Sequence, residues 1–429
     1  MGGDGQKGKY PADNDHEAGR SHEIRCFRRH HYAGAAQEAS YGDGLIRKGK
    51  SFRSGLACVT CLIICIRMDY FGAGPAALPE IVLQQAAEAV LNYSGTGISI
   101  LELPHRSTAF NAILEEANSL VNDLCDLQNE YHILWLAGGG RMQFAMVPQN
   151  LLRPGTTAAY IDSGYWAHDA YQTALSVGAA EVVTSSRAEQ YRSLPDMNSV
   201  SHSSQASGTP WAYLHQTTNN TIFGTQFKSP PPALGVPLIA DMSSDILGVP
   251  RDYRAYDLFY AVAQKNLGPA GVTLVCIRKS LLPQLNAGLP PILSYQEHVA
   301  AGGILNTLPV FPIYTCLLTL RWLAGQGLST LFGTNERKAR LLYQAIDESR
   351  QFTALVAPGS RSSMNVVFKA HLPQAENSFL QFCADRAISG IEGHRSTGGF
   401  RASIYNGVSE TAVQHLVSAI QEFDATFAS

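Results

Sequence analysis

Between about residues 131 and 277, short apolar stretches alternate with helical or turn-forming segments, and this rhythm limits the chain to an α/β fold. The clearest stretch is Ile133-Leu134-Trp135-Leu136-Ala137, and others lie at about 157–161, 181–184, 212–215, 237–241, 257–262 and 272–277. Seven such strands separated by helices predict a mostly parallel seven-stranded sheet. Two amphipathic helices precede it. Glu80 to Asn92 places Ile81, Val82, Ala86, Ala89 and Val90 on one face, and Ser107 to Cys125 opens on a Ser cap and carries a stripe from Ala109 to Leu124.

The texture changes after about residue 330. A long helix (329–350), a strand (Met364 to Lys369), a helix near 374–388, a strand (Arg401 to Tyr405) and a last helix (409–427) predict a smaller α+β domain. The expected division is a large domain over 84–330 and a small one over 331–429, with residues 68–83 packing on the small domain. The Ser-rich stretch 185–210, broken by Pro195, Gly208 and Pro210, reads as a surface loop.

Residues 1–50 are polar, without sustained periodicity, and read as disordered. The apolar run 55–66 lies too deep in the chain for a signal segment. Residues 1–67 therefore read as an extension upstream of a start at Met68, with organelle targeting left open and a cytoplasmic location expected. The lone Cys58-Val59-Thr60-Cys61 lacks the second CxxC of a four-cysteine zinc site. Eight cysteines in 429 residues do not make a disulfide framework, and the net charge of -3 gives no reason to expect nucleic acid or an anionic membrane. No apolar run has the length to span a bilayer, and no metal site is expected.

Four features could carry chemistry. Gly138-Gly139-Gly140 follows a strand and opens a helix, either as a phosphate cradle or as a tight turn. Asp241 ends an apolar strand, facing a crevice or capping the next helix with Ser243 and Ser244. Trp166, after Gly164-Tyr165, either stacks on a flat ligand or fills the core. Lys265 ends the strand running from Tyr260, beside a Gly/Pro turn, and is either a desolvated nucleophile or a surface charge. Together, lysine, aspartate, aromatic plate and phosphate cradle describe a pyridoxal 5′-phosphate site. Arg106, Arg395 and Arg401 could bind carboxylate or phosphate, and His105-Arg106 and His394-Arg395 repeat as pairs in a chain with only 16% charged residues.

The motifs Phe71-Gly72-Ala73-Gly74-Pro75-Ala76, His105-Arg106-Ser107, Gly138-Gly139-Gly140-Arg141, Gly164-Tyr165-Trp166, Asp241-Met242-Ser243-Ser244, Gln264-Lys265-Asn266, Asn306-Thr307 and Gly393-His394-Arg395 through Arg401 to Asn406 follow in this order. From Met68 on, the chain resembles the phosphoserine aminotransferases, fold-type I enzymes of the class V aminotransferase group. The resemblance implies that Lys265 is the Schiff-base lysine and proton shuttle, that Asp241 pairs with the pyridine nitrogen and that Trp166 stacks on the ring. It implies Thr221 on the ring hydroxyl side, and Gly140, Arg141 and Gln264 on the cofactor phosphate. Asn306 and Thr307 would reach that phosphate from the other subunit of a homodimer. Arg401 would take the substrate α-carboxylate, and His105, Arg106, His394 and Arg395 the distal anion.

The implied substrates are L-glutamate and 3-phosphohydroxypyruvate, giving 2-oxoglutarate and O-phospho-L-serine in serine biosynthesis. A vitamin B6 branch substrate, 3-hydroxy-2-oxo-4-phosphooxybutanoate, is a further implication. Two positions depart from the family pattern. Asn220 stands where Glu is usual, and Val262 stands where Gly is common, crowding the strand or repacking it. The alternatives are another class V enzyme or a descendant that binds ligand without turnover.

Overall fold

The structure, a computed structural model, describes residues 68–200 and 208–427. The expectations for residues 1–67, including Cys58 and Cys61, lie outside the described residues. The elements, in chain order, are β1 (Asp69–Tyr70), α1 (Glu80–Leu91), α2 (Thr108–Leu124), β2 (Tyr131–Ala137), α3 (Gly140–Leu151), β3 (Thr157–Asp162), α4 (Tyr165–Leu175), β4 (Ala180–Ser185), β5 (Trp211–Thr217), β6 (Leu238–Asp241) and β7 (Leu258–Val262). They continue with α5 (Ala263–Asn266), β8 (Val272–Arg278), α6 (Tyr295–Ala300), α7 (Val310–Gln326), α8 (Leu328–Asp347), β9 (Phe352–Ala354), β10 (Asn365–Ala370), α9 (Pro373–Ala384), β11 (Ile388–Ser389), β12 (Phe400–Ser403) and α10 (Glu410–Thr426).

The main sheet has seven strands in the order β2-β8-β7-β6-β5-β3-β4. Every neighbouring pair is parallel except those made by β8, which runs against both β2 and β7. Chain length explains the reversal. A parallel return needs a crossover of about a dozen residues or more, and only the segment 263–271 joins β7 to β8.

Helices cover both faces, as a largely parallel sheet requires. On one face α2 and α7 pack through Phe110, Ile113, Ala117, Ile313, Leu317 and Leu320. On the other, Phe144 and Val147 of α3 and Ala170 and Ala174 of α4 cover Tyr160, Tyr213, Ile239 and Tyr260. The start of α2 is set locally, because the Ser107 hydroxyl accepts the N–H of Phe110 at 3.2 Å and completes an N-cap.

A second, antiparallel sheet, β12-β10-β9, packs with α8, α9 and α10 around its own core. Phe352, Phe368, Phe379, Phe400 and Phe423 form that core, with ring centroids 4.6–5.8 Å apart in the contacts that Phe352 makes. The N-terminal strand β1 pairs in parallel with β11, and Phe71 joins this aromatic cluster.

The stretch 185–210 is not all surface. Tyr191 donates to Asp162 at 3.0 Å, and Val200 is buried with Leu214 and Phe227. The described part of the segment after β4 thus packs with residues of β3 and β5, a role that its Ser-rich composition hides.

Candidate active site

Four strands of the main sheet run in one direction and end at one crevice, the place where open α/β sheets bind ligands. Strand β2 ends in Gly138-Gly139 and opens α3. Strand β3 leads through Gly164 into α4, β6 ends on Asp241, and β7 leads into α5. A cavity of about 250 Å³ lies between these ends, and Gly140, Arg141, Trp166, Asp241, Gln264 and Lys265 are among its walls.

Lys265 lies not on the strand but on the one-turn helix just beyond it, since β7 stops at Val262. The turn points the side chain into the crevice, where Lys265 has no hydrogen-bond or ion-pair partner among the described residues. Burial pulls its amine below the ordinary lysine range, Asp241 partly restores it, and Arg401 lowers it further. The main-chain segment 73–76 packs beside it. Ala76 N–H donates to the Gln264 carbonyl at 2.9 Å, and a Cβ on Gly74 would meet Lys265 Cγ at 3.4 Å in a backbone with φ of +144°.

Asp241 is 7% exposed. One carboxylate oxygen accepts the Ser243 N–H at 2.9 Å, so the local turn and the cavity-facing role coexist. Burial raises its pKa, while Lys265 and the Ser243 hydrogen bonds pull it back. Ser243 also accepts the Val262 N–H at 3.1 Å, tying the end of β6 to the end of β7.

Trp166 is half-buried on the cavity wall. Its indole N–H donates to Thr221 Oγ1 at 3.1 Å, which brings Thr221 to the edge of the site. The Arg141 guanidinium lies 5.6 Å from the indole centroid and pairs with Asp169 at 3.0 Å. Helix α3 begins at Gly140 with no side chain capping it; Met142 N–H donates to the Gly139 carbonyl at 3.0 Å, while the N–H groups of Gly140 and Arg141, two residues of the cavity wall, have no partner among the described residues. A Cβ at Gly140 would come 3.3 Å from Val262 Cγ1, so the valine packs against the glycine turn rather than distorting the strand. Asn220 is buried, donates to Ser163 and Thr225, and leaves its carbonyl oxygen unpaired.

Arg401, on β12, has no ion-pair partner among the described residues, and its Nε is buried without an acceptor. Burial lowers its pKa from the ordinary arginine value. His394 lies 6.0 Å, ring to ring, from Tyr165, and burial together with Arg401 and Arg395 lowers its pKa. Arg401 of the second sheet thus acts on Lys265, and His394, before β12, lies near the start of α4.

The chain does not gather every residue singled out from sequence. His105 and Arg106 lie just before α2, and the His105 Nε2 is buried without a partner. Asn306 and Thr307 lie between α6 and α7 and contact each other, and Arg395 is exposed. None of these five lines the cavity, and neither do Thr221, His394 or Arg401, which lie beside it. Sequence reasoning gave no role to Ser243, Phe144 or the glycine-rich segment at 72–76. The serine was visible only as a possible cap, and the segment only as part of a motif. No group of three or more potential metal ligands occurs among the described residues, and no helix among them is long and apolar enough to cross a membrane.

The cavity suits a flat, phosphorylated heterocycle. The unpaired N–H groups of Gly140 and Arg141 mark its α3 end, a buried carboxylate lies on its wall at Asp241, and an indole forms another wall. Known proteins agree. The sequence profile of the aminotransferase class-V family matches residues 70–416. A phosphoserine aminotransferase of Bacillus cereus is 41% identical over 359 residues, covering 83% of this chain and 98% of its own. The phosphoserine aminotransferase of Bacillus circulans subsp. alkalophilus superposes with a TM-score of 0.80 at 39% identity, over 84% of this chain and 99% of that one. The pyridoxal-phosphate-bound enzyme of Trichomonas vaginalis does so with a TM-score of 0.74 at 31% identity, over 83% and 100%. The chain belongs to the class V aminotransferases, within the group of the phosphoserine aminotransferases.

Proposed function

We propose that this chain catalyses reversible amino transfer between L-glutamate and 3-phosphohydroxypyruvate, giving O-phospho-L-serine and 2-oxoglutarate with pyridoxal 5′-phosphate as cofactor. The observation that carries this reading is the Lys265 amine, unpaired among the described residues, sharing a cavity with the buried Asp241 and lying close enough to Arg401 for that guanidinium to act on it. When bound, pyridoxal phosphate supplies an aldehyde that accepts the amino group and a protonated ring that withdraws electrons from the substrate Cα.

The chain's own residues supply the rest. Asp241 is the carboxylate for the ring nitrogen, and its Ser243 hydrogen bond favours the charged form that the role needs. Trp166 and Thr221 orient the ring, and Gly140, Arg141 and Gln264 hold the phosphate. Lys265 carries the cofactor at rest and, once released as a neutral amine, takes the Cα proton. Its lowered pKa increases the neutral fraction at working pH.

Arg401 binds the α-carboxylate in a bidentate fashion. His394 and Arg395, with His105 and Arg106, bind the distal anion, either a carboxylate or a phosphate. Asn306 and Thr307 of a second copy complete the phosphate site, so the working unit is a homodimer. The two layers, 84–330 and 331–429, act as domains on either side of the substrate. A cytoplasmic location and use of 3-hydroxy-2-oxo-4-phosphooxybutanoate belong to the same proposal.

The test is a coupled assay on purified protein with added cofactor, following glutamate formed from O-phosphoserine and 2-oxoglutarate. Turnover with this pair, and far slower turnover with alanine and glyoxylate, is the expected result. Turnover with alanine and glyoxylate but none with O-phosphoserine would replace the proposal with another class V activity.

A further inference from the structure

The helix carrying Lys265 is a single turn, too short to hold its own geometry. Something outside it must fix where the amine points. The next residue, Asn266, is 4% exposed and has both ends of its amide in use. Its Nδ2 donates to the Ile246 carbonyl at 3.1 Å, and its Oδ1 accepts the Asn406 N–H at 3.0 Å.

Asn406 extends the link. Its Nδ2 donates to the Leu247 carbonyl at 3.0 Å, and its Oδ1 accepts from Asn335 Nδ2 at 2.8 Å. Asn335 also donates to the Gly248 carbonyl at 2.9 Å. Leu247 has a φ of +52°, a left-handed conformation that a leucine rarely adopts, and each of the three carbonyls of this turn, 246–248, accepts one of these asparagine bonds. On the far side, Lys338 Nζ donates to the carbonyls of Ile404, Tyr405 and Val408 at 2.8–3.0 Å, which clamps the segment bearing Asn406.

Three segments meet at these amides. One follows Asp241, one carries Lys265, and one follows Arg401. The first two belong to the main sheet and the third to the second sheet. We propose that Asn266 and Asn406 are positioning residues, whose amide bridge sets the Lys265 amine against the Arg401 guanidinium across the two sheets. Sheet register alone cannot do this, because β7 and β12 belong to different sheets. The bridge acts on geometry and not on charge. The charged groups acting on Lys265 are Asp241 at the end of β6, Asp245 in the turn after it, and Arg401 on β12, and the bridge binds the main chain around all three.

This inference rests on the proposed role of Lys265, and the test separates the two. Asn266→Ala and Asn406→Ala are compared with wild type and with Asn118→Ala. Asn118 accepts from the Trp135 indole at 2.9 Å, away from the cavity, so its loss serves as a stability control. The readouts are kcat and KM for the amino-acid substrate, the pH midpoint of the visible absorption of the cofactor-loaded protein, and the thermal midpoint.

The expected result for Asn266→Ala is a kcat loss of about 100-fold, as for a misplaced reacting group, with a shifted absorption midpoint. Asn118→Ala lowers only the thermal midpoint. Asn406→Ala keeps the main-chain N–H that Asn266 accepts and loses its side-chain bonds to Leu247 and Asn335, so its kcat loss is smaller than that of Asn266→Ala, and the double variant loses little more than Asn266→Ala alone. Asn406→Asp keeps the acceptor for Asn335 and the backbone donor to Asn266, and shows a smaller shift in the same direction. It serves if the alanine variants do not fold. A wild-type kcat and absorption midpoint in the folded variants, with the loss confined to thermal stability, would overturn the inference. A wild type that shows no visible band with added cofactor would overturn the functional reading itself.

Discussion

The two sheets treat their interiors in opposite ways. Around the second sheet, five phenylalanines close on one another, and buried polar groups at its margin, such as Lys338 and Asn365, have their hydrogen-bond partners within the protein. At the crevice beyond the main sheet, Lys265 and, from β12, Arg401 have no ion-pair partner among the described residues, Arg401 Nε and Asn220 Oδ1 are buried without partners there, and the base sits on a single turn of helix. Buried polar groups cost free energy when left unpaired. The first region spends its burial on stability, while the second holds groups ready for a ligand. The difference teaches where stability and chemistry should separate under mutation.

The largest expected effect is in the aromatic core. Phe379→Ala removes a ring that touches Phe352, Phe400 and Phe423, and should cost about 3–5 kcal/mol of stability. Denaturant unfolding measures it, and kcat of the remaining folded protein should be unchanged. A large fall in kcat at unchanged stability would break the comparison.

The reverse pattern is expected of Arg401→Met. A lost charge-assisted bidentate contact should lower kcat/KM by about 1.5–3 kcal/mol of binding energy, mainly through KM. Thermal stability should hold or rise, since a buried guanidinium without a partner is removed.

Opposite pH shifts sharpen the same contrast. Arg401 lowers the Lys265 pKa and Asp241 raises it. The amine attacks an aldehyde only when neutral, so the rate of cofactor loading rises with pH through that pKa. Arg401→Met should move the midpoint of this rise to higher pH, and Asp241→Asn should move it to lower pH. Shifts of the same sign would contradict the arrangement.

The smallest effect is expected of Ser243→Ala. Its hydroxyl helps keep Asp241 charged, so its loss should raise the Asp241 pKa and move the acid limb of the kcat profile toward neutral pH. The cost in stability should be about 1 kcal/mol, that of one hydrogen bond.

Local signals were legible in the sequence. Ser107 capped the helix it was expected to cap, and the seven strands stood where apolar runs predicted them, since each depends on neighbours only a few residues away. Lys265 was found as a residue of interest, but its one-turn helix was not, because a single turn is shorter than any periodicity can reveal. The short strands β1, β9 and β11 escaped for the same reason. The asparagine bridge was invisible for another reason. Asparagine reads as a turn residue, and Asn266 and Asn406 lie 140 positions apart in sequence. Val262 read as a source of crowding, and only the fold shows that its γ-methyl group lies against the glycine turn at Gly140.

One measurement tests the central claim most directly. Wild type and Lys265→Ala are each titrated with pyridoxal 5′-phosphate, and the visible absorption of the protein fraction is read after removal of free cofactor. Wild type should retain a visible band that O-phosphoserine bleaches and 2-oxoglutarate restores. Lys265→Ala should fold with the same circular dichroism and retain no such protein-linked band. A visible band in Lys265→Ala that borohydride converts into a reduced pyridoxyl group still bound to the protein after denaturation would place the covalent link on another residue and contradict the account.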